Sequence, residues 1–190
     1  VNLDQSAPVI TLRVQPQSVA LLAQRRQLVG FYLHARTGVE DLLTSIAVAG
    51  SNQVHGSGQV GEGVNVAVWE TGPTSTANLD IVAQFREPAD PDLKTSGHSQ
   101  HVHAVIQNKA PGVRIGHAPQ CRLFSANDCD RLALTWAMDQ SCSVVNQSFH
   151  RPEEAQARYP TTDDRYVDWL AAVAPCPLIV RAAGNFGEGD

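Results

Sequence analysis

Val64-Asn65-Val66-Ala67-Val68-Trp69-Glu70-Thr71-Gly72-Pro73 decides how the rest of the chain is read. Its near-continuous apolar run is that of a strand buried on both faces, as in a parallel sheet. The run stops at an acid followed by a Gly-Pro turn. In open α/β sheets functional groups gather at the carboxyl ends of the strands, which makes Glu70 a candidate working carboxylate. A carboxylate that only caps the turn fits the same pattern.

Downstream, a polar loop over 74–97 leads into Gly97-His98-Ser99-Gln100-His101-Val102-His103-Ala104-Val105-Ile106. Val102, Val105 and Ile106 recur at helical spacing, so the segment predicts a helix with His98 in its first turn. The positive end of the helix macrodipole favours a neutral imidazole, the form that acts as a general base. A metal cluster of His98, His101, His103 and Glu70, or polar residues that merely start a helix, are the alternatives. Residues 98 and 101 share a helical face but 103 points away, which is poor geometry for zinc.

Further on, Gly112 to Pro119 predicts a turn, 122–125 a strand, 130–139 a helix and 142–145 a short apolar strand ending in Asn146-Gln147-Ser148-Phe149-His150. A polar surface excursion over 151–165, a helix over 166–173 and a buried strand over 177–183 complete the pattern. Alternation of strand and helix predicts an α/β fold, a doubly wound parallel sheet with flanking helices.

Upstream, residues 1–55 predict a mainly helical N-terminal extension, with a short strand over 8–14 and helices over 17–29 and 39–49. Gly30 closes the first helix. The glycine-rich segment 51–63 is expected to be a flexible approach to the strand. No chemistry is visible in this part, and His34, His55 and His117 are most simply loop or surface residues.

The totals narrow the function classes. The chain has 190 residues, 43% hydrophobic and 17% charged, with a net charge of −5. That is the composition of a globular protein, and the acidic balance argues against nucleic-acid or anionic-membrane partners. No apolar run is long enough to span a bilayer. The chain begins at Val1 with no signal-peptide pattern, which suggests processing or excision. Cys121, Cys129, Cys142 and Cys176 have neither CxxC nor zinc-ribbon spacing, and a Cys121–Cys129 bridge is conceivable in an oxidising compartment.

Five segments in order resemble the subtilisin-like serine peptidases. They are the stretch ending Glu70-Thr71-Gly72; His98-Ser99-Gln100-His101-Val102; Gly116-His117-Ala118-Pro119; Val144-Val145-Asn146-Gln147-Ser148-Phe149; and Ala182-Ala183-Gly184-Asn185. The resemblance implies an acid–histidine–serine triad with His98 as general base and Glu70 at the place of the family's aspartate. It implies that Asn185 donates to the oxyanion. It also implies that Ser148, Phe149 and His150 lie along the strand that pairs with a peptide or protein substrate. No cofactor or metal follows from it, and it leans toward an extracytoplasmic location.

The chain departs from the family pattern in places. Glutamate adds a methylene at the acid position, and Ser99, Gln100, His103 and Ala104 replace the family's Gly, Thr, Ala and Gly. His150 stands in place of a glycine. No Gly-Thr-Ser context occurs; by a His-to-Ser spacing of roughly 157 residues the serine is expected near ~255. The expectation is therefore that 56–190 is the N-terminal part of a peptidase domain, inactive alone, whose partner is the missing C-terminal part. The alternative is a non-catalytic peptide-binding relative. His101 is expected to pack behind the catalytic face.

Overall fold

A computed structural model describes residues 2–3, 10–11, 15–22, 24–25, 42–110, 114–150, 160–173 and 175–182. The chain divides into two compact units, Val1–Glu40 and Asp41–Asp190. In the first, β1 (Asn2–Leu3) pairs antiparallel with β2 (Ile10–Thr11), and α1 spans Pro16–Leu22. Proline at a helix start costs no hydrogen bond, since its missing N–H would be unpaired there anyway. The expected closing residue Gly30 lies outside the described residues.

The second unit opens with α2 (Leu42–Val48) and α3 (Ser51–Gly56). Residues 51–56 thus form a helix where a flexible approach was expected. Gly50, at φ 73°, takes the left-handed conformation that ends one helix and turns the chain into the next. Tertiary contacts then hold α3: His117 Nδ1 lies 2.7 Å from Ser51 Oγ, its Nε2 3.3 Å from Ser45 Oγ, and His55 Nε2 donates to the His117 carbonyl at 2.9 Å. His55 and His117 are structural ties rather than loose surface residues.

Then follow β3 (Asn65–Trp69), β4 (Gly72–Pro73), β5 (Ile81–Gln84), β6 (Thr95–Ser96) and α4 (Gly97–Gln107). After them come β7 (Lys109–Ala110), β8 (Arg114–Ile115), β9 (Arg122–Ala126), α5 (Arg131–Asp139), β10 (Val144–Gln147), α6 (Thr162–Ala172) and β11 (Leu178–Arg181). The main sheet has the order β11-β10-β3-β9-β5, every pair parallel. β3 is its central strand.

Alternation along β3 separates two cores. Ala67 and Trp69 face Ala133, Leu134 and Ala137 of α5 and Leu170 of α6. Val66 and Val68 face the other way, with Leu123, against Val102 and Ile106 of α4. Helices therefore flank both faces, as the doubly wound reading requires. Fully burying one such side chain contributes roughly 1.5–3 kcal/mol, so β3, packed on two sides, is strongly held.

Three local expectations are corrected. The loop 74–97 contains the edge strand β5, which joins β9 through an irregular register between Ile81 and Ala83. α6 starts at Thr162, inside the expected surface excursion, because Thr161 and Asp164 form a reciprocal capping box. Cys121 and Cys129 are not joined in a disulfide; Cys121 is buried just before β9 and Cys129 lies beyond its end. Burial pushes the Cys121 thiol up to about 11 and Cys142 up to about 12, so both behave as small apolar core residues.

The turn at Gly116-His117-Ala118 closes α4. Its N–H groups donate to the carbonyls of Asn108, Val105 and Ile106 at 2.9, 2.9 and 2.8 Å, satisfying groups a helix end leaves unpaired. A Cβ on Gly116 would lie 2.5 Å from the Ile106 carbonyl oxygen and 2.6 Å from the Gln107 nitrogen. Backbone on both sides leaves no room to yield. Gly116→Ala is expected to destabilise the second unit by more than about 1 kcal/mol, measured by denaturant unfolding.

Candidate active site

The carboxyl ends of the central strands create the site. Glu70 directly follows β3, and its N–H donates to the Ala126 carbonyl at 3.3 Å, so the sheet ladder carries the residue inward. The side chain is only 4% exposed. Burial raises the Glu70 carboxyl above its usual 4.5, and the His98 imidazole partly offsets this.

His98 approaches from the neighbouring element. α4 has Ser96 as its N-cap, whose hydroxyl accepts from the Ser99 N–H at 3.0 Å, and this sets His98 in the first turn as expected. Its side chain is 63% exposed, and Nε2 lies 3.5 Å from Glu70 Oε1. The same nitrogen lies 3.3 Å from the Ser148 carbonyl oxygen, to which it donates in the tautomer protonated there. Nδ1 has no partner among the described residues. Among the described residues Glu70 Oε2 is buried without a hydrogen-bond partner. The pair is a buried acid and an accessible base, at a separation longer than a hydrogen bond.

Ser148 and Phe149 follow β10 and reach the same end of the sheet. Phe149 packs edge-on against Trp69 with ring centroids 5.2 Å apart, and its carbonyl accepts from Gln147 Nε2 at 3.2 Å. His150 is exposed. Asn185 lies outside the described residues. Among the described residues no three His, Cys, Asp or Glu side chains converge in a way that could hold a metal ion, and no helix is long and apolar enough to cross a membrane.

His101, expected behind the catalytic face, is exposed. His103 occupies that buried place at 0% exposure. Its Nδ1–H donates to the Ser99 carbonyl at 2.7 Å and its Nε2 accepts from the Ser125 hydroxyl at 3.0 Å. Burial lowers His103 to about 4. The sequence signal was available: on a helix, 99, 103 and 106 share one face, and the other members of that row are small or apolar.

No protein-family model matches the chain. An alkaline protease of Alkalihalobacillus alcalophilus is 27% identical over 98% of this chain and 51% of its own length. Subtilisin Savinase of Lederbergia lenta is 30% identical over 72% of this chain and 53% of its own length. Thus the chain spans about half the length of the curated relatives it matches. Among solved structures, that of MycP1 with the N-terminal propeptide removed superposes with a TM-score of 0.52 at 19% identity, covering 77% of this chain and 50% of its own. That likeness shows the fold.

Both buried groups have pH consequences of known sign. His103 has a folded value below its unfolded 6.5, so its contribution is intact above about 6.5 and is lost as pH falls toward 4, by up to about 1.4 kcal/mol per unit. Glu70 has a folded value above 4.5, so its ionisation lowers stability as pH rises past that point. Glu70→Gln is therefore expected to raise the melting temperature at neutral pH and to have little effect below pH 4.5, as read by thermal unfolding across pH.

Proposed function

We propose, for a chain related to the subtilisin-like serine peptidases, that it forms the acid-and-base half of a peptide-bond hydrolase. The observation that carries this reading is the buried Glu70 carboxylate 3.5 Å from the accessible His98 imidazole. The two groups sit at the carboxyl end of the central strand and in the first turn of the adjacent helix. A buried carboxylate facing an imidazole would stabilise its protonated form, and would hold one tautomer once the two close to hydrogen-bond distance. The imidazole nitrogen turned away from Glu70 would accept a proton from a serine hydroxyl. It later returns that proton to the leaving amine.

Ser148, Phe149 and His150 border the same end of the sheet and would line the path of an extended peptide. Asn185 would supply the oxyanion donor, a role that rests on Ala182-Ala183-Gly184-Asn185 alone.

The serine would come from a segment corresponding to the half of the relatives that this chain does not match. An apolar cavity of about 470 Å³ supports this, lying on the α4 side of the sheet and lined in part by Val66, Val105, Ile106, Val144 and Val180. Leu178 and Val180 on that face of β11 are 65% and 47% exposed. Strands of a parallel sheet are ordinarily covered on both faces. A helix laid there antiparallel to the strands, as α4 is, would begin at the carboxyl end beside His98.

Protein comprising this chain and the serine-bearing segment is expected to react with a fluorophosphonate probe and to hydrolyse a peptide substrate. The 190-residue chain alone is expected to do neither. His98→Ala should slow turnover by at least about 10²-fold. Binding of peptide without labelling or turnover would establish a non-catalytic relative, for which the loose acid–base contact is the physical motive.

A further inference from the structure

The acid–base contact is too loose to set its own geometry. Glu70 Oε1 and His98 Nε2 are 3.5 Å apart, and the second carboxylate oxygen has no hydrogen-bond partner among the described residues. Yet the residue after each of them is tightly held. The Thr71 carbonyl accepts a short hydrogen bond from the Ser99 hydroxyl, and the Thr71 and Ser96 hydroxyls are 2.9 Å apart. Ser99 follows His98 and Thr71 follows Glu70, so this bond fastens the base-bearing turn directly to the acid-bearing strand end.

The fastening continues inward. His103 Nδ1–H donates to the Ser99 carbonyl at 2.7 Å, and His103 Nε2 accepts from Ser125 on β9 at 3.0 Å. Ser99, His103 and Ser125 are all 0% exposed. Each ring nitrogen of His103 has its own partner, which fixes the ring and its tautomer. A buried and satisfied polar network of this kind specifies one arrangement.

Ser99 and His103 stand where the family pattern has glycine and alanine, neither of which can make these bonds. Glu70 stands where it has aspartate. Three departures from one pattern therefore meet in one cluster. We infer that Ser99 and His103 are positioning residues that hold the first turn of α4 against the end of β3, so that the longer Glu70 meets His98 in working register. This inference rests on the acid–base reading of Glu70 and His98. A misplacement of about 1 Å at such a pair costs about 10²-fold in rate, which is the scale of the effect a positioning residue controls.

The first test uses the chain itself, nitrogen-labelled at histidine, with ring-nitrogen signals recorded by long-range NMR. His103 is expected as the Nδ1–H tautomer. Ser99→Gly is expected to move the His98 ring signals, while Leu134→Ala, in the core beneath α5, leaves them in place. An Nε2–H tautomer at His103, or a His98 response to Ser99→Gly no larger than to Leu134→Ala, overturns the inference. Ser125→Ala, which removes only the hydroxyl at His103 Nε2, reads the same displacement if Ser99→Gly does not fold.

The second test uses the complete protein. Ser99→Gly is expected to lower kcat about ten-fold with KM within about two-fold, and Glu70→Asp to cost a similar factor. The double variant should lose less than the product of the two, because the shorter acid no longer needs the displaced register. Losses that multiply overturn the positioning role. A complete protein that hydrolyses no peptide removes the peptidase reading, and the spectroscopic test still decides the relay.

Discussion

Burial of β3 on both faces is the constraint from which the rest follows. Trp69 is 1% exposed and Val68 0%, so the strand's end cannot shift without disturbing two cores at once. Glu70 is the next residue, and it inherits that rigidity. A carboxylate placed there loses most of its hydration, which explains its raised affinity for a proton.

The helices add the second group by the same logic. α4 lies on the Val66–Val68 face through Val102 and Ile106, and runs back from the carboxyl end of the sheet. Its first turn is therefore beside Glu70. The C-terminal end of α4 is held by the Gly116 turn and its N-terminal end by Ser96, Ser99 and Thr71. With both ends fixed, His98 is delivered by packing and hydrogen bonding, although its own ring is mostly in solvent.

Much of the fold was legible because its signals are local. The apolar run 64–69, the helical spacing of Val102, Val105 and Ile106, and the Asp130 cap of α5 are each readable within a few residues. β5 was not, because four residues between polar loops become a strand only when β9 offers an edge to pair with. α3 was not, because its stability comes from His117, more than sixty residues away in sequence. The capping box at Thr161 is legible too, as a threonine followed three residues later by Asp164.

The sequence alone determined the α/β alternation, the acid at a strand end and the histidine at a helix start, since periodicity and cap chemistry are properties of neighbouring residues. Tertiary structure alone decided what the buried histidine bonds to. The helical row 99, 103 and 106 marks residue 103 as the inward one, but its partner Ser125 lies on β9, 22 residues further along the chain. It also decided that the acid and the imidazole lie near each other, because that depends on where a strand end and a helix start fall relative to each other, a distance that no local pattern encodes.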